Sequence, residues 1–178
     1  MRLPGRLCIV RPWCAGDLEP LVRHANDIQV ARQLRDRFPH PYSRADGRAF
    51  LASVARQQPP STLAIEVDGE AAGAVGFSVG SDLERYAAEV GYWVARRLWG
   101  RGIATEALLL TTEHLFLERN LLRVFAVPFA DNAASARVLE KAGFLREGLL
   151  RSGCVKYGQP RDQLLFARVN ESWKGDVR

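Results

Sequence analysis

Two glycines separate a stretch with strand periodicity from a stretch with helical periodicity, and this junction constrains the fold more than any other part of the chain. Before it, apolar side chains alternate along residues 86–94, and after it they recur at helical spacing along 104–115. Gly100 and Gly102 therefore occupy the turn where a strand leads into a helix. The first turn of a helix has unpaired backbone N–H groups and partial positive charge. Because glycine has no Cβ, its backbone can come close to an anion, and the junction predicts a phosphate site.

A tight strand-to-helix connection also uses glycine for its geometry alone, so the glycines by themselves leave that alternative open. Two familiar phosphate loops do not match this junction. A P-loop requires Gly-Lys-Ser/Thr where this chain has Gly102, Ile103 and Ala104. A dinucleotide-binding loop requires a third glycine and an early position in a βαβ unit. The flanking sequence therefore decides the interpretation.

The junction and a later segment resemble the GNAT superfamily of N-acetyltransferases. The acyl-CoA pyrophosphate loop of that family reads Arg/Gln-x-x-Gly-x-Gly/Ala, and this chain has Trp99, Gly102 and Ala104 at the three positions. Residues 131–144 resemble the Asn-x-x-Ser-x-x-x-x-Glu-Lys-x-Gly-Phe pattern of the branch that contains the ribosomal-protein N-terminal acetyltransferases RimJ and RimL. Trp99 departs from the family pattern, so no Arg or Gln side chain contacts the pyrophosphate from this position.

The resemblance extends over nearly the whole chain and implies a single GNAT domain spanning residues 1–178, with a core of about 7–170. The family fold is α/β (α+β), with a central mixed, mostly antiparallel sheet of about seven strands and about four flanking helices. That sheet splays between its fourth and fifth strands, which match 86–94 and 122–127 here. Periodicity predicts further strands at 7–11, 63–67, 73–79, 144–151 and 163–169, and helical segments within 15–34, 46–57, 104–119 and 132–142.

Two turns are predicted between strands. Asp68-Gly69 is a strong hairpin signal between the second and third predicted strands. A polar hairpin containing Lys156, Gly158 and Pro160 is predicted between the last two strands. Both turns favour antiparallel neighbours.

A cofactor site follows from the resemblance. In the family, the pantetheine arm of acetyl-CoA enters the gap between the splayed strands, and the pyrophosphate lies on the glycine loop. The resemblance assigns cofactor contacts to Val94, Trp99, Gly100, Arg101, Gly102, Ile103, Ala104, Thr105 and Asn132. No metal is expected, because Cys8, Cys14 and Cys154 show no ligand spacing.

Acyl transfer to an amine requires a held thioester, a neutral amine and a proton for the departing thiolate. By resemblance, Ser135 supplies this proton, as a serine at this position is proposed to do in related enzymes. Many other family members use a tyrosine four residues later, but this chain has Leu139 there, which favours Ser135. Glu89 resembles the carboxylate that accepts a proton from the amine in several members, acting through water. Ordinary roles stay open for both residues, as a solvated or capping serine and as a surface glutamate on a strand.

Two residues are predicted on the acceptor side. The family builds its specificity from the loop after the first helix, and Tyr42 in the stretch 34–42 is predicted to wall the acceptor site. A proline-rich loop that crosses the surface is the alternative. His24 is the other candidate, since imidazole titrates near neutral pH, with a structural role on the first helix as its alternative.

Composition bounds the class of protein. With 178 residues and 47% hydrophobic content, the chain is long enough for one buried core. No run approaches the ~20 apolar residues of a membrane span, and the first residues lack the apolar core of a signal peptide, so we expect a cytoplasmic protein without membrane contact. The net charge of +5 suits the phosphates of CoA and does not require nucleic acid.

The sequence thus predicts an acetyl-CoA-dependent N-acetyltransferase that transfers the acetyl group directly to a primary amine in a ternary complex. The N-terminal α-amine of a ribosomal or other protein is slightly favoured over a small-molecule amine such as an antibiotic, a polyamine or an amino acid. The alternatives are a non-catalytic acyl-CoA-binding domain and a basic RNA-binding protein, although the chain lacks the aromatic signature of an RNA-recognition strand. A homodimer is left open.

Overall fold

The computed structural model describes residues 1–175 and contains an eight-stranded sheet. Its strands are β1 (Leu3–Pro4), β2 (Ile9–Pro12), β3 (Thr62–Val67), β4 (Glu70–Val79), β5 (Ala87–Val94), β6 (Arg123–Ala126), β7 (Leu145–Lys156) and β8 (Gln159–Val169). Their order across the sheet is β1-β2-β3-β4-β5-β6-β8-β7. Neighbours pair antiparallel except β5 and β6, which run parallel. The mixed, mostly antiparallel sheet is confirmed, and the strand that was not predicted is the two-residue β1.

Five α-helices are present within the described residues, namely α1 (Leu18–Ala25), α2 (Ile28–Ala31), α3 (Arg44–Ala55), α4 (Ile103–Leu117) and α5 (Ala133–Lys141). The predicted region 15–34 contains two of them, because Asp27 caps α2 by accepting a backbone N–H with its side chain. Ser43 and Asp46 form a capping box at the start of α3. The last three residues of the predicted domain, 176–178, lie outside the described residues.

The sheet separates two hydrophobic clusters. Val90 and Val94 of β5 belong to the larger cluster, which α4 and α5 cover, whereas Trp93 packs against a smaller cluster under α1 and α3. Because successive side chains of a strand point to opposite faces, the two clusters lie on opposite sides of the sheet. None of the helices described in residues 1–175 is long and apolar enough to cross a membrane.

Both predicted hairpins are present. The Asp68-Gly69 turn is present, with φ of 52° and 78°, as a two-residue hairpin turn requires. The hairpin predicted between the last strands is present, but its strands are longer than predicted, because Lys156 and Pro160 lie within β7 and β8. Only Tyr157 and Gly158 form that turn, also with positive φ. The strands extend this far because they pair with each other up to the turn.

The sheet splays where predicted. β5 pairs with β6 only from Ala87 to Glu89, opposite Arg123 to Phe125, although β5 continues to Val94. Beyond Glu89 the two strands no longer pair with each other, and a gap opens between them. This gap positions the functional site.

Candidate functional site

The glycine junction forms the start of α4. Gly100 and Gly102 have φ of +76° and +80°, a region that is costly for residues with a side chain. Glu106 donates the first helical hydrogen bond, at 3.0 Å, to the Gly102 carbonyl, so the N–H groups of 103–105 precede the helical ladder. A Cβ at Gly100 would meet no atom within 4 Å, and one at Gly102 would meet Leu7 at 3.4 Å. The loop therefore leaves open space beside the backbone N–H groups of 103–105, which have no partner in the helix.

Trp99 fastens this loop to the end of β5. Its indole Nε1 donates a 2.7 Å hydrogen bond to the Val94 carbonyl, across the short 3-10 turn Arg96–Leu98. Val94 itself is buried in the larger cluster. At the position where the family pattern has Arg or Gln, this chain thus has a side chain engaged in an internal hydrogen bond.

A cleft of about 970 Å³ opens beside the loop, and we call it the cofactor cleft. The predicted cofactor residues that line it are Val94, Trp99, Gly100, Gly102, Ile103, Ala104, Thr105 and Asn132. Ile103 is 3% exposed and belongs to the larger hydrophobic cluster. Arg101 is exposed and is not among the lining residues, so the structure does not bring it to the cleft wall with the others.

The first turn of α5 forms the opposite wall of the cofactor cleft. Asn132 caps the helix, its Oδ1 accepting the Ser135 N–H at 3.1 Å. The Ser135 hydroxyl lies 2.9 Å from the phenol oxygen of Tyr92 on β5. Burial raises the pKa of Tyr92 to about 12, although the Ser135 bond opposes this, and the phenol stays protonated near neutral pH. A hydrogen bond between side chains therefore bridges the two walls.

A second cleft, of about 940 Å³, lies next to the first and is called the acceptor cleft here. Phe38 stands between Tyr42 and Trp93 on its wall, with ring centroids 5.2 Å and 5.7 Å away. Tyr42 is 4% exposed, and burial raises the pKa of its phenol to about 12. Asn26 Oδ1 accepts the Tyr42 N–H at 2.9 Å and holds the loop in place. Tyr42 thus lines this second cleft.

Glu89 lies where the two clefts meet, and it lines both. It is the last residue of β5 that pairs with β6, so its carboxylate stands at the point of divergence. Arg35, in the loop between α2 and α3, forms an ion pair with it. With its side chain 36% exposed, Glu89 is in contact with solvent.

Comparison with known proteins decides the family. The profile of the acetyltransferase (GNAT) domain matches residues 6–145. The chain belongs to the GNAT acetyltransferase family. The resemblance inferred from residues 99–107 and 131–144 is confirmed by this match.

Individual relatives add detail. The uncharacterized N-acetyltransferase YoaA of Bacillus subtilis is 36% identical over 100 residues, which cover 56% of each chain. The [ribosomal protein uS5]-alanine N-acetyltransferase of Escherichia coli is 27% identical over 49% of this chain and 45% of its own. The solved structure of Mycobacterium smegmatis RimJ in complex with CoA-disulfide has 28% identity and a TM-score of 0.80, covering 94% of this chain and 84% of that one. The chain spans about half the length of the curated relatives it matches.

His24 of this GNAT chain lies outside both clefts. Its side chain is 7% exposed, and its Nε2 is 2.6 Å from the Glu70 carboxylate, which also pairs with Arg23 and Arg97. The hydrogen bond from His24, assisted by the charge of Arg23, lowers the pKa of Glu70. The structure therefore places His24 in a charged cluster between α1 and β4, and the prediction that it contacts substrate is not supported by this location.

Sequence reasoning missed several residues that shape the GNAT site. The sequence predicted Tyr92 as one residue of an apolar strand face and Arg35 as one residue of a loop, with no role for either side chain. Lys156 of β7 is buried against the cofactor cleft, with its Nζ 2.8 Å from Asp36 in an ion pair that lacks hydrogen-bond geometry. Among residues 1–175, no three His, Cys, Asp or Glu side chains are grouped to hold a metal ion.

Proposed function

We propose that this GNAT chain is an acetyl-CoA-dependent N-acetyltransferase that transfers the acetyl group directly to a primary amine in a ternary complex. The observation that carries the proposal is the meeting of the two clefts at Glu89. One cleft has the features of a cofactor site and the other those of an acceptor site. Direct transfer requires this arrangement, since both substrates must be bound at once.

The cofactor cleft suits acetyl-CoA. Its volume of about 970 Å³ lies at the upper end of small-molecule sites, which suits a long cofactor. The N–H groups of 103–105 and the positive end of α4 favour an anion, and the open space at Gly100 admits a pyrophosphate. Asn132 uses its carbonyl oxygen to cap α5, so its amide NH₂ group is the part that can donate to the pantetheine arm. Acetyl-CoA supplies the thioester, and the chain supplies orientation.

Glu89 is the proposed proton acceptor for the amine. A lysine-like amine has a pKa of about 10.4 and is mostly protonated near neutral pH, so it must lose a proton before it attacks. The Glu89 carboxylate attracts the ammonium group, which competes with the Arg35 guanidinium for it. The proton then passes from the amine to Glu89, directly or through water. Arg35 keeps the carboxylate in place until the acceptor arrives.

Ser135 is the proposed donor to the departing sulfur. It lies on the wall of the cofactor cleft opposite β5, where its hydroxyl is held by Tyr92. A hydroxyl in this position can donate a hydrogen bond to the thiolate as the C–S bond breaks. Tyr42 and its aromatic neighbours would enclose the acceptor, and His24 is left out of the proposal.

For the acceptor, we propose the N-terminal α-amine of a protein, such as a ribosomal protein. The support is the similarity to a uS5-alanine N-acetyltransferase and to RimJ. A small-molecule amine is the other candidate. The cytoplasmic location, the homodimer and the extent of the single domain, with its core of about 7–170, stay predictions.

Thiol release from acetyl-CoA tests the proposal. Free CoA is followed while the protein is offered N-terminal peptides of ribosomal proteins, polyamines and aminoglycosides. We expect turnover with the peptides, a fall in kcat of about 10²-fold or more in Glu89→Gln, and little change in Glu118→Gln at the far end of α4. Binding of CoA without turnover on any amine would instead favour the non-catalytic CoA-binding domain.

A further inference from the structure

A hydrogen bond joins Tyr92 and Ser135, which both line the cofactor cleft. Tyr92 lies three residues beyond Glu89 on β5, and Ser135 lies in the first turn of α5. The phenol oxygen is 2.9 Å from Ser135 Oγ and 3.3 Å from the Ser135 carbonyl oxygen. The bond is therefore formed where the proposed function requires a proton donor.

We propose that Tyr92 orients the Ser135 hydroxyl and supplies the proton that Ser135 delivers to the departing thiolate. This inference rests on the proposed acetyl transfer. Tyr92 acts through Ser135 and is thus a positioning residue, with Ser135 as the group that contacts sulfur. No feature of the family pattern at residues 131–144 points to a residue on β5.

Acidity explains why a serine needs this partner. A cysteine-like thiol has a pKa of about 8.5, and an alkyl hydroxyl is a far weaker acid than that, so Ser135 alone is a poor source of a proton. A phenol, with an ordinary pKa of about 10, is much closer to the thiol. Burial raises the pKa of Tyr92 to about 12, which keeps the phenol protonated and still leaves it a stronger acid than an alkyl hydroxyl. The phenol therefore makes proton delivery through Ser135 less costly.

The proton movements balance. As the amine nitrogen bonds to the acetyl carbon and the C–S bond breaks, Ser135 Oγ gives its proton to sulfur. The Tyr92 phenol gives its own proton to Oγ at the same time, so no serine alkoxide forms. The phenolate then takes a proton from water. The nitrogen loses one proton before it attacks and a second once it has bonded to the acetyl carbon, and both leave to water through Glu89 in turn. The net products from the ammonium group are the acetylated amine, the free thiol and one proton.

The position of Leu139 supports a donor from β5. Many family members have a tyrosine at this position of the helix, whereas Leu139 is fully buried in the larger cluster here. Among the described residues that line the cofactor cleft, Tyr92 is the only tyrosine. It reaches the first turn of α5 from the opposite wall. A phenol is thus present in the cleft, but it is supplied by β5 and not by α5.

Three variants test the inference in the full-length protein: Tyr92→Phe, Ser135→Ala and the double variant. Tyr157→Phe, with an exposed phenol in the β7–β8 turn, is the matched control. We expect kcat to fall about tenfold or more in Tyr92→Phe, while the Kd for CoA from calorimetry stays within about twofold. The double variant should be no slower than Ser135→Ala, because the two residues act on one proton. Tyr157→Phe should match the wild type.

A pH profile separates proton supply from packing. Replacement of Tyr92 by 3-fluorotyrosine keeps the ring and its bond but makes the phenol more acidic, so activity should be retained and the basic limb of kcat should move to lower pH. A wild-type kcat in Tyr92→Phe, independent losses that multiply in the double variant, or an unmoved basic limb would overturn the inference. Failure of the wild type to release thiol with any amine would instead reject the proposed function itself, and the inference with it.

Discussion

At the residue scale, Gly102 connects backbone geometry to cofactor binding. Its φ of +80° places it at the cap of α4, and the space beside it is where a phosphate would approach the amides of 103–105. A β-branched residue at this φ is strained by about 1–3 kcal/mol. It also puts methyl groups beside the helix N-terminus. A β-branched side chain at position 102 therefore both strains the backbone and obstructs the approach of a phosphate.

We predict that Gly102→Val raises the Kd for CoA at least tenfold, measured by calorimetry, because the side chain blocks close approach of the phosphate. Gly158→Val is the matched control, since Gly158 has φ of +76° and open space but lies at the β7–β8 turn. The control should lose stability without losing CoA affinity. Equal affinity in both variants would contradict the assignment of the loop.

At the scale of elements, α4 is tied to the N-terminal strands by one carboxylate. Glu106 accepts the backbone N–H groups of Arg6, Leu7 and Cys8 at 2.9, 2.6 and 2.9 Å. Partial burial by itself would raise the pKa of Glu106, but these hydrogen bonds outweigh it and the pKa is lowered. The loop between β1 and β2 thereby fixes the end of α4 that carries the candidate phosphate site.

We predict that Glu106→Gln lowers the free energy of unfolding at pH 7 by about 1–3 kcal/mol. A carboxyl whose pKa is lowered by folding stabilises the protein above its unfolded pKa, about 4.3 for Glu, and loses that contribution as pH falls through the folded pKa. The difference between wild type and variant should therefore shrink below about pH 4. Denaturant unfolding at pH 7 and pH 3 measures it, with Glu118→Gln on the same helix as control. A difference that does not change with pH would contradict the role of charge.

At the scale of the whole molecule, the cofactor cleft joins β5, α4 and α5, which share the larger hydrophobic cluster. A ligand bound to all three elements stabilises the folded state as a unit. Its contribution is about 2.7 kcal/mol when its concentration is 100 times its Kd. Binding of a ligand in the cofactor cleft is thus expected to raise the free energy of unfolding of the entire fold.

We predict that CoA at 100 times its Kd raises the Tm by about 5–11 °C, since 1 kcal/mol corresponds to about 2–4 °C in a protein of this size. Differential scanning fluorimetry measures the shift. ATP at the same concentration is the control for charge alone. At the wild-type CoA concentration Gly102→Val should show no more than about half the wild-type shift, since a tenfold higher Kd leaves CoA at about 10 times Kd or less. A shift of the same size with ATP would indicate general attraction of polyanions by a chain of net charge +5.

Much of the fold follows from local pattern. The alternation before Gly100, the helical spacing after Gly102 and the Asp68-Gly69 turn each predict an element that the structure contains. These features depend on neighbours along the chain, so they can be read without knowing the fold. The end of β7 was misjudged because its polar residues resemble a turn, while pairing with β8 extends the strand.

The sequence by itself determined the family and the glycine loop, since both depend on residues a few positions apart. Only the tertiary structure decided which side chains meet across the site. Arg35 and Glu89 are 54 positions apart in the sequence, and Tyr92 and Ser135 are 43 apart. His24 forms its hydrogen bond with Glu70 and lies outside both clefts. Such pairs depend on strand register and on how the helices pack across the sheet, and no local periodicity encodes them.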